Sequence, residues 1–251
     1  MANELTRLFH VSDIHFGTED PDALGWFKAN IFAEMPDAVI CTGDLTQRAT
    51  LKQYAAAQEW LSELPVPLMI QPGNHDMPYY NLWERFRSPY LRFNKLTASI
   101  GTELDLANAL IVPLDTNVTA QMRWPWSDGF VTRKNLNAAL STLDRLRNDP
   151  RAKIIACHHP LLPKLDSQRN PTIHGNEAFY ELATAGATLV LSGHVHLPFD
   201  QIRECLGQKM RMVGAGTLST RLRKGVPPSY NLIEIFKGGA VEVSRRDFCN
   251  L

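Results

Sequence analysis

The chain has 251 residues, enough for one large domain with a sizeable buried core, and we expect a single domain over residues 1–251. Its 26 Lys and Arg residues balance 26 Asp and Glu residues, which argues against a protein that binds long nucleic acid. No apolar run approaches the roughly 20 residues of a membrane-spanning helix, so we expect no membrane span.

The cysteines and the N-terminus indicate the compartment. The four cysteines are scattered without a C-x-x-C pair, so we expect reduced thiols and a cytoplasmic protein. A disulfide between Cys41 and Cys157 is the less favoured alternative. The first seven residues lead directly into a predicted strand, which leaves no room for a signal peptide. Arg221, Arg223 and Lys224 form a local basic cluster within the balanced charge.

Five short apolar runs, typical of buried strands, each end at a residue that can bind a metal ion. One Asp or His after a strand usually serves a turn, but five coincident cases favour a site at the carboxyl ends of the strands. The first three lie about one βαβ unit, roughly 30 residues, apart, which returns each to the same sheet edge. The runs are Leu8–Ser12 before Asp13 and His15, Ala38–Thr42 before Asp44, Leu68–Gln71 before Asn74, Lys153–Cys157 before His158, and Thr188–Ser192 before His194 and His196.

Three apolar stripes between these runs have helical spacing and should face the core. Thr50 is the predicted N-cap of the first helix, which extends to Leu64. The second covers Leu136–Leu146 and ends at Asp149-Pro150. Asn176 is the predicted N-cap of the third helix, and Gly186 ends it.

The C-terminal part changes to strands. Met210–Gly214, Tyr230–Phe236 and Val241–Arg245 alternate in polarity and are separated by glycine-containing turns. Strand–helix alternation followed by a run of strands predicts a second, mixed or antiparallel sheet packed on the first.

The ordered motifs resemble those of the calcineurin-like metallophosphoesterases, over the chain from about Leu8 to Ile235. The resemblance implies an α/β fold, a four-layer αββα sandwich of two mixed β-sheets flanked by helices. Within the family the chain is most similar to the bacterial cyclic-nucleotide phosphodiesterase and glycerophosphodiesterase branch. The motifs are Asp13-x-His15, Gly43-Asp44, Gly73-Asn74-His75-Asp76, His158-His159-Pro160 and Gly193-His194-Val195-His196.

The resemblance also implies a dinuclear metal centre. Mixed imidazole and carboxylate donors suit Mn, Fe or Zn rather than Ca or Mg. Two such ions clamp the phosphoryl oxygens and convert a bound water into the attacking hydroxide. Asp44 would bridge the ions, with Asp13, His15 and His196 completing one site and Asn74, His158 and His194 the other.

Other polar residues receive different interpretations. By resemblance His75 contacts the phosphate and protonates the departing oxygen. Asp76 orients His75 or serves as a structural hydrogen-bond acceptor. His159 is interpreted as a supporting neighbour of the ligand His158 rather than a ligand. His10 is interpreted as a structural histidine, and His174 as a loop residue, with a place in the cleft as its alternative.

The predicted function is hydrolysis of a small phosphodiester, such as a cyclic nucleotide or a glycerophosphodiester. The first alternative is hydrolysis of the pyrophosphate bond of a nucleotide-linked lipid precursor. For such a substrate Trp124-Pro125-Trp126 could form an exposed apolar lip, although burial is the more common fate of two tryptophans. A non-catalytic binding scaffold is disfavoured, because every ligand and His75 are present. The aromatics of residues 79–104 belong to the core or to a substrate cleft. A homodimer is compatible with these features.

Overall fold

A computed structural model describes residues 4–101, 104–163 and 170–249. The strands are β1 (Leu5–Val11), β2 (Ala38–Cys41), β3 (Leu68–Ile70), β4 (Ala109–Pro113), β5 (Gly129–Phe130), β6 (Ala152–Ala156), β7 (Thr172–Ile173), β8 (Leu189–Ser192), β9 (Phe199–Cys205), β10 (Gln208–Gly214), β11 (Ser229–Phe236) and β12 (Val241–Asp247). The helices are α1 (Pro21–Glu34), α2 (Leu51–Ser62), α3 (Leu82–Arg87), α4 (Leu91–Ile100), α5 (Arg133–Arg145) and α6 (Gly175–Thr184), with a short 3₁₀ turn at Asn74–Asp76.

Ten of these strands form two five-stranded mixed sheets. The order in the first sheet is β12-β11-β1-β2-β3, and the order in the second is β4-β6-β8-β10-β9. One apolar cluster, which includes Ile40 and Ile154, lies between the sheets. A second cluster packs the first sheet against α1, α2 and α4, and a third packs the second sheet against α5 and α6. The predicted four-layer αββα sandwich is confirmed.

All three predicted helices are present, as α2, α5 and α6. The Thr50 hydroxyl accepts a hydrogen bond from the backbone N of Gln53 at 3.2 Å, so the predicted N-cap of α2 is confirmed. The N-cap prediction for Asn176 was wrong. Helix α6 begins at Gly175 after His174 in a left-handed conformation. Asn176 lies in the first turn, where its side-chain oxygen accepts a hydrogen bond from Asn170.

The predicted second, mixed sheet is present, but the three C-terminal strands β10, β11 and β12 are divided between the two sheets. Strand β11 pairs antiparallel with β1 and carries β12 at the edge of the first sheet, whereas β10 pairs parallel with β8 in the second sheet. The physical reason is that β11 is apolar on both faces. Leu232 packs toward the helices and Ile233 packs between the sheets, so β11 needs an interior position.

Two further sequence expectations are settled by the fold. Cys41 and Cys157 are separate buried thiols, so the alternative of a disulfide between them was wrong. Within the described ranges, every helix is too short or too polar to cross a membrane.

His10 is a buried histidine on β1 whose ring nitrogens are both engaged. Its Nδ1 accepts a hydrogen bond from the Asn231 side chain at 3.2 Å, so its Nε2–H donates to the Thr42 hydroxyl at 3.0 Å. Burial lowers the pKa of His10 from 6.5 to about 3, although the charge of Asp13 acts in the opposite direction. The structural interpretation of His10 therefore agrees with its surroundings.

This burial predicts a pH dependence of stability. The unfolded chain takes up a proton at His10 near pH 6.5 and the folded chain only near pH 3, so stability is lost as the pH falls below 6.5. We expect the metal-free wild type to lose roughly 2 kcal/mol more unfolding free energy than His10→Gln between about pH 7.5 and about pH 5. Urea unfolding at both pH values measures this difference, and the other histidines cancel because both proteins contain them. Parallel losses in the two proteins would contradict a neutral buried His10.

Candidate metal centre

The seven predicted metal ligands lie together where the carboxyl ends of β1, β2, β3, β6 and β8 meet. Six are buried and His194 is half-buried. Groups of their ligand atoms lie within 4.8 Å of one another, notably in the sets Asp13, His15, His196 and Asp13, Asp44, His158. The first sheet supplies four of the ligands and the second sheet supplies three, so the site exists only because the two sheets are packed together.

The backbone is unusual at these ligands. Five of the seven adopt left-handed conformations, which cost L-residues on the order of 1–2 kcal/mol each. Such a concentration of unfavourable backbone at one place is typical of a functional site, where the surrounding structure holds side chains in fixed directions. The φ angles are 55° for Asp13, 54° for His15, 52° for Asp44, 69° for His194 and 53° for His196.

Close contacts between the loops hold this backbone in place. The backbone N of Asp13 donates to the Gly43 carbonyl at 2.9 Å, and that of His15 to the Asp44 carbonyl at 3.0 Å. Gly73 lies against the Asp44 side chain, and a Cβ at this position would collide with it. A glycine at position 73 therefore lets two ligand loops approach each other.

Asp76 connects the same loops. Its buried carboxylate accepts hydrogen bonds from the backbone N atoms of Gly73, Leu45 and Thr46, at 2.9, 3.0 and 2.8 Å. Of the two roles considered for Asp76, these contacts support the structural acceptor. Burial, with the nearby charge of Asp44, raises the pKa of Asp76 to about 6 despite these bonds.

The ligand atoms of Asp13, His15 and His196 converge on one point. The Nε2 atoms of the two histidines are 3.1 Å apart, and the Nε2 of His196 is 3.1 Å from Asp13 Oδ1. The His196 Nδ1–H donates to the Arg221 carbonyl at 2.8 Å, so its Nε2 presents a lone pair in the neutral ring. Asp13 Oδ1 is buried and has no hydrogen-bond partner among the described residues. Two facing imidazole nitrogens and an unpaired carboxylate oxygen match the donor set of a transition-metal ion.

The second group surrounds His158. Its Nδ1–H donates to the Thr42 carbonyl at 2.8 Å, which directs Nε2 toward Asn74 Oδ1 at 3.2 Å and Asp44 Oδ2 at 3.4 Å. Asp44 Oδ2 is also 3.7 Å from His15 Nε2 in the first group. One carboxylate thus lies between the two groups, which is the position of a bridging ligand.

His159 lies beside this group but is not free to bind a metal. Its Nε2–H donates to the Ser127 carbonyl at 2.9 Å, and its Nδ1 lies 2.9 Å from the Thr116 hydroxyl. Its ring packs against His194, with 4.3 Å between the ring centroids. These contacts agree with the interpretation of His159 as a supporting neighbour that orients His194.

The electrostatics favour a bound cation. Burial opposes ionisation of Asp44, but the charges of His158 and His75 outweigh it and hold the Asp44 pKa well below 3.8. For Asp13, burial is likewise outweighed by His196, and the pKa is lowered. Burial lowers the pKa of His15 to about 3, which keeps the ring neutral. Two carboxylates are therefore ionised in a dry site. Burial opposes a charge on His158, but Asp44 outweighs it and raises the pKa of His158 to about 9, so this imidazole supplies part of the compensating charge in the metal-free protein. A bound metal cation would take over that compensation.

His75 lies at the edge of the ligand cluster. Its Nδ1–H donates to the Gln47 carbonyl at 2.7 Å and its backbone N donates to Asp44 Oδ1 at 2.8 Å. Its Nε2 then faces inward, 4.0 Å from Asp44 Oδ2. The ring is partly exposed, so a substrate can reach it.

Sequence reasoning missed two side chains at this edge. Arg221 Nη1 lies 3.2 Å from Gln47 Oε1, 3.2 Å from His15 Nε2 and 3.5 Å from His75 Nε2. In the sequence, Arg221 stands out only as a member of a basic cluster. Nothing in the sequence marks Gln47 as a site residue except its place after the Gly43-Asp44-Leu45-Thr46 motif. His174 is exposed beside Glu177 and lies outside the ligand cluster.

An aromatic groove of about 410 Å³ is lined by Tyr79, Phe86, Arg85 and Trp126 among others. Arg85 stacks over the Trp126 ring at 5.6 Å, and the rings of Tyr79 and Trp126 are 6.4 Å apart. Tyr79 follows His75 by four residues. Trp126 directly precedes Ser127, whose carbonyl accepts the hydrogen bond from His159. The groove therefore borders the segments that position the site.

The aromatic residues of this region divide between the two alternatives given by the sequence. Phe93 is buried in the core, Tyr79 and Phe86 line the groove, and Trp83 belongs to neither set because it is exposed outside the groove. The expected burial of the tryptophans near position 125 was wrong. Trp124 is 81% exposed and Trp126 is 39% exposed. Both lie on a loop that packs beside the groove rather than beneath a helix.

Comparisons with known proteins agree with this geometry. The family model described as calcineurin-like phosphoesterase matches residues 6–198. The glycerophosphodiester phosphodiesterase GpdQ of Enterobacter lignolyticus (strain SCF1) is 26% identical over 65% of this chain and 60% of its own length. The chain thus spans less than two thirds of that relative.

A second relative matches over more of its length. The 3',5'-cyclic adenosine monophosphate phosphodiesterase CpdA of Pseudomonas aeruginosa is 23% identical over 96% of this chain and 90% of its own. Among solved structures, a dimetal phosphatase from Danio rerio superposes with a TM-score of 0.68 at 12% identity, covering 98% of this chain and all of that one. At this identity the structural likeness concerns the fold alone.

The position of Asp44 between the two ligand groups generates a prediction about metal content. Asp44→Asn removes one charge from both groups, so we expect the protein to fall from two bound ions to one or none after reconstitution with excess Mn or Zn. Elemental analysis and calorimetric titration measure this loss. Asp115→Asn is the control, because Asp115 is a half-buried carboxylate whose oxygens bond Tyr90 and Asn117 rather than the ligand cluster. Two ions retained in Asp44→Asn would contradict the bridge.

Proposed function

Because the chain belongs to the calcineurin-like phosphoesterase family, we propose that it is a dinuclear-metal phosphodiesterase that hydrolyses a small phosphodiester. The observation that carries this proposal is that carboxylate and imidazole ligand atoms cluster in groups within 4.8 Å of one another, with Asn74 Oδ1 3.2 Å from His158 Nε2 and the Nε2 of His75 4.0 Å from Asp44 Oδ2. Asp13, His15 and His196 would hold one ion, Asn74, His158 and His194 the other, and Asp44 both.

The proposed chemistry divides between the metals and the protein. When bound, two ions of Mn, Fe or Zn would polarise the phosphoryl group and activate a water as the nucleophile. The protein holds the ligands rigid through the left-handed backbone and the contacts of Asp76. His75 would donate a proton from Nε2 to the departing oxygen, while its Nδ1–H stays bonded to the Gln47 carbonyl. That bond prevents the ring from flipping and keeps the proton donor directed at the site.

The aromatic groove favours a cyclic nucleotide over a glycerophosphodiester as the substrate. A nucleobase would gain stacking energy against the exposed rings of Tyr79 and Trp126, whereas glycerol has no flat apolar face. The two related phosphodiesterases described above represent both substrate types.

A nucleotide-linked lipid pyrophosphate is the second candidate. The exposure of Leu82, Phe86 and Trp124 beside the groove offers an apolar surface for acyl chains. The two candidates share a nucleobase, so the presence or absence of a lipid chain distinguishes them.

The proton-donor role of His75 predicts a dependence on the leaving group. His75→Ala should retain both metal ions but cleave diesters with alkyl leaving groups roughly 10²–10⁴-fold more slowly. The loss should shrink for p-nitrophenyl esters, whose leaving group is already stable as an anion. His75→Gln, which keeps polar hydrogen-bonding groups but is not an acid, should behave like His75→Ala. Equal losses along the leaving-group series would assign His75 to phosphate binding instead, and loss of metal would make it a ligand.

The stacking role of the groove predicts the outcome of a substrate screen. Mn-loaded protein is assayed against cyclic nucleotides, glycerophosphodiesters, phosphomonoesters and nucleotide-linked lipid pyrophosphates. We expect cyclic nucleotides to give the highest kcat/KM, and Trp126→Ala to raise their KM about 10-fold or more, the size of one lost base stack. The KM for glycerophosphodiesters should stay unchanged.

Trp83→Ala is the matched control for this screen. Trp83 is an exposed tryptophan of the same surface but does not line the groove. Equal effects of the two substitutions, or equal effects on both substrate types, would rule out the groove as a base-binding site. Preference for the lipid-linked pyrophosphate would establish the second candidate.

A further inference from the structure

Arg221 contributes to the site twice, with its backbone and with its side chain. It lies in the segment that follows β10 and passes the edge of the ligand cluster. Its carbonyl accepts the Nδ1–H of His196 at 2.8 Å, which leaves His196 Nε2 free to bind a metal. This contribution depends on the backbone alone, so a substitution of the side chain leaves it intact.

The side chain of Arg221 reaches a point between three segments of the chain. Nη1 is 3.2 Å from His15 Nε2 and 3.2 Å from Gln47 Oε1, and it approaches His75 Nε2 at 3.5 Å. It therefore lies between a predicted metal ligand and the predicted proton donor.

Arg221 has no acidic partner among the described residues. Its Nη1 contacts the amide oxygen of Gln47 at 3.2 Å, and no carboxylate in the described ranges lies within 4.0 Å of the Arg221 guanidinium to form an ion pair. A guanidinium without an ion-pair partner keeps its charge available for an anion.

The contact with His15 is also one that a metal ion would replace. A nitrogen lone pair given to a metal cannot accept a hydrogen bond from Arg221. If His15 Nε2 holds a metal, the Arg221 Nη1 donor that contacts it here would be free to bind an anion. The side-chain amide of Gln47 remains to hold the guanidinium at the entrance. The backbone carbonyl of the same residue positions the His75 ring.

We propose that Arg221 binds a non-bridging phosphoryl oxygen of the substrate, next to His75 and opposite the metal ions. The inference rests on the proposed phosphoesterase function and adds to it a protein-derived charge that recognises the phosphate. A guanidinium suits this role, because it stays charged at every working pH and presents paired N–H donors to oxygen.

The chain provides a matched control two residues away. Arg223 belongs to the same exposed segment, and its Nε donates to the Val195 carbonyl at 3.1 Å. Arg221→Met and Arg223→Met remove the same charge and keep a similar aliphatic length. A general change in the field of the protein would affect both variants, whereas a direct contact with phosphate affects Arg221→Met alone.

The experiment measures binding of inorganic phosphate to the Mn-loaded proteins by calorimetry, with metal content determined in parallel. We expect Arg221→Met to keep two ions per chain and to bind phosphate roughly 10- to 100-fold more weakly, the range for one lost charge-assisted hydrogen bond. Arg223→Met should change the affinity less than about 2-fold, in the range of a screened surface charge. Arg221→Lys should lie between Arg221→Met and wild type, because lysine keeps the charge but loses the planar pair of donors.

Steady-state kinetics supply a second readout. Arg221→Met should lower kcat/KM for a phosphodiester by a similar factor, and added guanidinium ion should restore part of the activity of Arg221→Ala. Unchanged phosphate affinity in Arg221→Met overturns the proposal, and so does loss of metal, which would make the side chain part of the metal shell. Wild type that binds no phosphate also overturns it. If the wild type binds phosphate through Arg221 but cleaves no diester, the proposed function fails and this inference stands.

Discussion

Two ionised carboxylates buried at strand ends are the constraint on which the rest of the site depends. Asp13 and Asp44 are both almost fully buried, and the imidazoles around them hold both pKa values low. Charges of this kind destabilise a fold unless cations or hydrogen bonds compensate them. The left-handed backbone at Asp13 and Asp44 adds a further cost. The surrounding sheets must therefore hold this arrangement in place. A bound dication would compensate the charges of Asp13 and Asp44.

The packing of two sheets provides this support. In an open sheet the carboxyl ends of β1, β2 and β3 would bring together only the ligands of the first half of the chain. Strands β6 and β8 add His158 and the two histidines after β8 from the second sheet. The His158–Thr42 hydrogen bond and the bond from the His194 backbone N to Asp13 Oδ2 join the two halves directly at the ligands. Metal binding and the association of the sheets should therefore stabilise each other.

The sequence predicted the local features of this site well, because they are encoded locally. Each ligand follows a short apolar strand, and Thr50 occurs at the start of a helical stripe, so chain order alone located them. The allocation of strands to sheets could not be predicted in this way. The pairing of Leu5 with Phe236 joins opposite ends of the chain, and no nearby pattern specifies it. The exposure of Trp124 and the reach of Arg221 also depend on the assembled surface rather than on sequence spacing.

The same division explains why the metal motifs do not determine the substrate. The ligands come from strand ends, whose positions follow from the sheets and are common to any protein with this fold. The groups that we propose to face the substrate come from elsewhere, with Tyr79 and Trp126 on loops of one side and Arg221 on the segment after β10. Loops can change without disturbing the sheets. If these proposals hold, substrate choice depends on three long side chains at the entrance, whereas the chemistry depends on side chains at the strand ends.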